Sequence, residues 1–224
     1  MSKTSTKTST SASTDTTTGT TTGTTTGTAI RSFDPVLVGR RECDAWAAYY
    51  RREWVPFLRA AIGMVDAGFG MGRRRTLLGA WYVLRANQLW APYPDNDPDG
   101  AREQMRRFYA LVFADGHPHL DPVRAARLEV EWWRVHRMHQ HADDVTEDEL
   151  TAALVELYAY VYQVPATTVR DAARLRVEAM DCSDRWVAAG CDLGDPLLAQ
   201  ERRLLVASYA ALRDAIDRVC RLGV

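Results

Sequence analysis

All five histidines of this 224-residue chain fall between positions 117 and 141, which makes that stretch the first place to look for chemistry. His117 and His119 flank Pro118. His136, His139 and His141 close the run Trp132-Trp133-Arg134-Val135-His136-Arg137-Met138-His139-Gln140-His141. On a helix His136 and His139 share a face, and Glu129 lies two turns earlier on the same side. A carboxylate and two imidazoles turned into a bundle could bind zinc or iron, so Glu129, His136 and His139 are the candidate metal ligands. The Glu-x-x-His spacing of di-iron bundles is missing, however. Trp132 stands three residues after Glu129, and Arg134 three after Glu131. His-Glu-x-x-His is absent too. The two histidine groups lie at opposite ends of a helix ~27 Å long, so all five cannot meet at one ion. The competing reading is a set of surface histidines that complement the negative end of their helix.

Three other groupings carry weaker chemistry. Asp95-Asn96-Asp97-Pro98-Asp99-Gly100 opens like a calcium loop, but Arg106 occupies the closing position where a bidentate glutamate belongs. Asp97 before Pro98 reads better as the cap of a helix. Acidic residues interrupt apolar helix patterns at Glu53, Asp184 and Glu201. Carboxylates from separate helices, with Glu178 among them, could complete a metal site. The plentiful arginines offer ion pairing instead, including Asp181 with Arg185, Arg174 with Glu178, and Glu201 with a neighbouring helix. Arg73-Arg74-Arg75, after Gly68-Phe69-Gly70-Met71-Gly72, could hold a phosphate at a helix start or form a solvated charged face. Seven tryptophans and nine tyrosines furnish either a polar-networked core or an aromatic-lined pocket.

Several chemistries are excluded. Lysine occurs only at positions 3 and 7, so the body has neither a Schiff-base nor a P-loop lysine. Gly-x-Ser-x-Gly and Ser-x-x-Lys are absent. Cys43, Cys182, Cys191 and Cys220 form no Cys-x-x-Cys, and each reads as a small reduced buried residue.

The elements that must position these residues are helices. Four Asp-Pro pairs, at Asp34, Asp97, Asp121 and Asp195, repeat one starting device: an aspartate caps free N–H groups and proline takes the first helical position. Thr146-Glu147-Asp148-Glu149 is a capping box. Thr167 or Thr168, after Pro165, and Arg73, after the glycine run, supply two more starts. The predicted helices are 35–54, 56–67, 73–90, 98–113, 122–140, 147–162, 168–189 and 196–221, with Pro56 kinking or dividing a long first helix. Apolar residues recur at helical spacing, as in Trp46, Tyr50, Trp54, Phe57, Ala61 and Met64. The last helix has the same pattern in Leu198, Leu205, Ser208, Leu212, Ala215 and Val219, with Glu201 inside it. Residues 1–28, almost all Thr, Ser and Gly, contain too little to bury and read as a disordered low-complexity tail.

The fold class expected is therefore all-α: a single-domain antiparallel bundle of seven or eight helices over 29–224, behind a tail over 1–28. Lys3, Lys7 and Asp15 make the tail net +1, leaving −2 on the body, which gives no general pull toward nucleic acid. No apolar run spans a bilayer and no secretory leader is visible, so the expected location is cytoplasmic. The function expected is a binding or interaction protein, for a small molecule, a protein partner or a second copy, without a cofactor. A metal-dependent helical-bundle enzyme using iron or zinc is the alternative.

Overall fold

A computed structural model describes residues 29–114, 116–141 and 145–222. The expected tail over 1–28 lies outside the described residues. Eight α-helices follow a short 3₁₀ turn at Ala29–Arg31: α1 Pro35–Tyr50, α2 Trp54–Phe69, α3 Arg73–Trp90, α4 Pro98–Phe113, α5 Pro122–His141, α6 Glu147–Tyr162, α7 Arg170–Ala188 and α8 Pro196–Leu222. There is no strand among the described residues.

The four Asp-Pro pairs each begin a helix as the sequence predicts. Asp34 Oδ1 accepts from the N–H groups of Val36 and Leu37 at 2.9 and 3.1 Å, and Asp97 Oδ1 from that of Gly100 at 2.8 Å. Asp121 and Asp195 accept from Val123 and Leu197, each at 2.8 Å. At α6 the capping box is complete: Thr146 Oγ1 accepts from Glu149 N–H, and the Glu149 carboxylate accepts from Thr146 N–H. These contacts satisfy donors that no helical carbonyl can reach.

Two boundaries differ from the sequence expectation. The long first helix ends at Tyr50, three residues separate it from Trp54 at the start of α2, and the backbone between them turns through Arg52 at φ +60°. Pro56 falls in the first turn of α2, where its missing N–H costs no hydrogen bond, so it neither kinks nor divides a helix. A 3₁₀ turn at Ala166–Thr168 takes up the start expected for α7, which begins at Arg170.

Each helix packs against its neighbours in the chain, and α1 packs against α8. The eight therefore close into a ring of antiparallel helices. Gly39 makes the closing seam close: a Cβ there would lie 2.7 Å from the backbone nitrogen of Val206 on α8. The main core fills the ring. A smaller core of Cys43, Ala47, Ala179, Trp186, Leu198 and Leu205 fills the angle between α1, α7 and α8. Trp186 is fully buried there, and its indole N–H donates to the Asp192 carbonyl at 2.6 Å. The stripe expected on α8 is buried throughout, Glu201 included. Trp81 faces outward at 49 % exposure, and Cys220 is exposed rather than buried. No described helix is long and apolar enough to cross a membrane.

Candidate ligand-binding cavity

At the centre of the ring is a cavity of about 150 Å³ whose wall takes side chains from all eight helices. Helical spacing explains how the chain delivers them. Val38, Glu42 and Trp46 follow one another every four residues along α1. Glu129, Trp132 and Trp133 occupy one turn of α5, and Tyr158 and Tyr162 succeed each other on α6. Arg176 comes from α7, Tyr209 from α8 and Phe108 and Tyr109 from α4. Nearly half of the wall residues are aromatic, with three charged groups set among them: Glu42, Glu129 and Arg176.

Glu42 and Arg176 form a buried ion pair across α1 and α7; the residues are 3 % and 7 % exposed. Arg176 also donates to the Tyr158 hydroxyl at 3.0 Å. Its guanidinium lies over the rings of Trp132 at 4.9 Å, Trp46 at 5.8 Å and Tyr158 at 5.9 Å. Burial works against its charge, but the Glu42 carboxylate beside it more than offsets this and holds it protonated. Burial pushes the Glu42 carboxyl above its ordinary range, a rise that Arg176 and Tyr209 moderate. Glu129 accepts three hydrogen bonds, from the Tyr109 hydroxyl at 2.6 Å and the Trp132 and Trp133 indoles at 3.1 and 3.2 Å. Burial also raises the phenols of Tyr109, Tyr158, Tyr162 and Tyr209, which are neutral. Within this network two buried atoms have no hydrogen-bond partner: Glu42 Oε2 and Arg176 Nε.

A second, smaller hollow of about 60 Å³ shares the walls Trp46, Asn87, Trp132 and Trp133 with the central cavity. It shares Tyr49, Tyr50, Arg137 and Gln140 with an open cleft of about 470 Å³ at the surface. The smaller hollow thus borders both the central cavity and the surface cleft. In the wall of the surface cleft Asp184 accepts from Gln140 at 2.6 Å and from Tyr50 at 3.4 Å, and pairs with His136 Nε2 at 3.1 Å. Burial would raise the Asp184 carboxyl, but His136, Gln140 and Tyr50 together bring it below its ordinary value. Arg137 lies over the rings of Trp90 and Tyr93, and Tyr93 stacks on His141 at 4.4 Å.

The sequence-derived metal candidates occupy different settings. Glu129 sits among its three donors at the central cavity, and His136 pairs with Asp184. His139 Nδ1 meets the Val145 carbonyl at 2.8 Å. Among the described residues no three His, Cys, Asp or Glu side chains are grouped to hold a metal ion. Of the other carboxylates, Glu53 pairs with Arg51 and Glu178 with Arg174. Arg185 donates to the Asp181 carbonyl rather than to its carboxylate. Glu201 is fully buried without an arginine hydrogen bond; burial pushes its carboxyl up to about 8, with Ser183 and Cys43 beside it. In the calcium-like segment Asp97 caps α4 and Asp99 pairs with Arg102.

Sequence reasoning missed Glu42 and Arg176. Both lie on buried stripes, Glu42 four residues before Trp46 and Arg176 between Ala172 and Met180. Opposite charges on two apolar faces were the available clue. Compared with protein-family models, curated proteins and solved structures, the chain has no match.

Proposed function

We propose that this protein binds a small, largely apolar molecule of about one ring in size at the centre of its helical ring. The observation that carries this is the central cavity itself. All eight helices contribute to a wall rich in aromatic rings that leaves about 150 Å³ unfilled, with the buried Glu42–Arg176 pair among its lining residues. Native interiors pack to crystal-like density, and a space this large in a core forfeits many contacts. An engineered apolar cavity of ~150 Å³ takes up benzene. The hollow past Tyr49, Tyr50, Arg137 and Gln140, which borders both the cavity and the surface cleft, is the entry route this reading requires.

The test is binding of toluene to the full chain, read by thermal unfolding and by tryptophan fluorescence. Trp46, Trp132 and Trp133 line the cavity, so occupancy changes their emission. Saturating toluene is expected to raise the unfolding midpoint by mass action, because it binds the folded chain alone. Enlarging the side chain at Ala45, another wall residue, to Phe should abolish the effect. A midpoint and emission spectrum indifferent to toluene would refute the reading.

A further inference from the structure

We propose that the hollow between α5, the start of α4 and the α3–α4 turn binds the phosphate group of a small molecule through Arg102, Arg134 and Arg137. That hollow shares no lining residue with the central cavity, so the two sites stand or fall separately.

The sign of the wall points to an anion. The hollow measures about 290 Å³, and its charged lining residues are Arg102, Arg134 and Arg137, with His141 beside them and no carboxylate. Helical spacing puts them there. Arg134, Arg137 and His141 follow at three and four residues along one face of α5, and Arg102 comes from the second turn of α4, which packs against α5. A hollow lined by charges of one sign concentrates ions of the other.

These guanidiniums are also available. Arg137 is held in place rather than paired. It lies over the rings of Trp90 and Tyr93 at 5.4 and 5.2 Å and donates to the Tyr49 hydroxyl at 3.2 Å, and among the described residues it meets no carboxylate. Its remaining N–H groups have no partner among the described residues, and none is sealed from solvent as Arg176 Nε is. Arg134 and Arg102 pair with Glu131 and Asp99 on their own helices. Both pairs lie at the surface, and both carboxylates line a separate groove beside Glu103 and Arg127. Exposed pairs of this kind contribute little, so a ligand can share the two guanidiniums at small cost.

The number of charges selects phosphate. The planar fork of arginine matches oxyanions in two-point contact. Three guanidiniums exceed what the single charge of a carboxylate balances, whereas a phosphate monoester carries about −1.5 to −2 at neutral pH. Asn96 adds an amide donor to the same wall.

The test is calorimetric titration of the full chain with phenyl phosphate, inorganic phosphate and benzoate at neutral pH. Phenyl phosphate is expected to bind at one site, at least tenfold more tightly than benzoate, and Arg137→Gln to weaken it at least tenfold. Arg137 also packs on Trp90, so Arg134→Gln and Arg102→Gln, at half-exposed positions, supply the same readout if that variant fails to fold; each should cost at least threefold. Arg107→Gln removes the same charge from an exposed position outside the hollow and should change affinity less than twofold. Inorganic phosphate identifies the form bound: affinity equal to the phenyl ester or better assigns the free ion, and weaker affinity assigns an ester, either of which upholds the site. Absence of binding by both phosphates, benzoate bound as tightly as phenyl phosphate, or a loss in Arg107→Gln equal to that in the hollow variants would overturn the proposal.

Discussion

Glu201 is a carboxylic acid with no place for a negative charge. It is fully buried between α1, α7 and α8, and its folded-state pKa of about 8 stands well above the ordinary 4.5. A folded-state pKa above the unfolded one means that the folded chain holds a proton the unfolded chain gives up. The associated stabilisation is complete below about pH 4.5 and is lost as pH rises toward 8, at ~1.4 kcal/mol per pH unit. Glu201→Gln, neutral at every pH, should therefore match the wild type near pH 4 and exceed it by a few kcal/mol at pH 8.5. Urea denaturation of both chains across that range checks this. Parallel profiles would show that Glu201 ionises freely in the fold. The Glu42–Arg176 pair behaves in the opposite way. Removing one partner strands the other, so Arg176→Met should cost ~3–5 kcal/mol, and adding Glu42→Gln to it should recover part of the loss. Denaturant midpoints of the single and double variants measure the coupling, and strictly additive losses would deny it. At this scale the sequence was only partly legible. Glu201 stood out because a charge interrupted a long apolar stripe. Glu42 did not, because the stripe of α1 was read from Trp46 onward. Arg176 was one of 26 arginines, and nothing in its immediate sequence set it apart.

The helices themselves were far more legible, because their starts are written in local chemistry. An aspartate before a proline needs no tertiary information to cap a helix, and all four such pairs do so. The errors fell where the cue was not local. Three residues of turn, with Arg52 in a left-handed conformation, separate α1 from α2, and nothing in Arg51-Arg52-Glu53 announces that break. Capping makes a direct prediction at α4. Asp97→Ala should cost ~1 kcal/mol, Asp95→Ala close to nothing, and millimolar calcium should leave the melting temperature unchanged. A calcium-dependent rise abolished alike by Asp95→Ala and Asp99→Ala would return the segment to metal binding. Helix packing makes another. A methyl group at Gly39 would strike the backbone of Val206, and a backbone cannot swing aside as a flexible side chain can. Gly39→Ala should cost ~1–3 kcal/mol by forcing α1 from α8, despite alanine's better helix propensity. A neutral or stabilising effect in a denaturation experiment would show that the seam is looser than the distances imply.

At the scale of the whole molecule, eight antiparallel helices in a closed ring leave a centre that each helix touches along only one stripe. Whether that centre fills depends on side chains arriving from eight directions, which no single stretch of sequence reveals. The aromatic abundance pointed to either a core or a pocket, and the ring contains both: a packed periphery and an unfilled middle. The central claim is that this middle is a ligand site, and the most direct measurement is a crystal structure of the chain soaked with iodobenzene, whose iodine is located by anomalous scattering. The account predicts one strong iodine peak inside the ring, bounded by Glu42, Phe108, Trp132 and Tyr158, with the Glu42–Arg176 pair intact. A ring packed solid by side chains, or iodine found only on the outer surface, would contradict it.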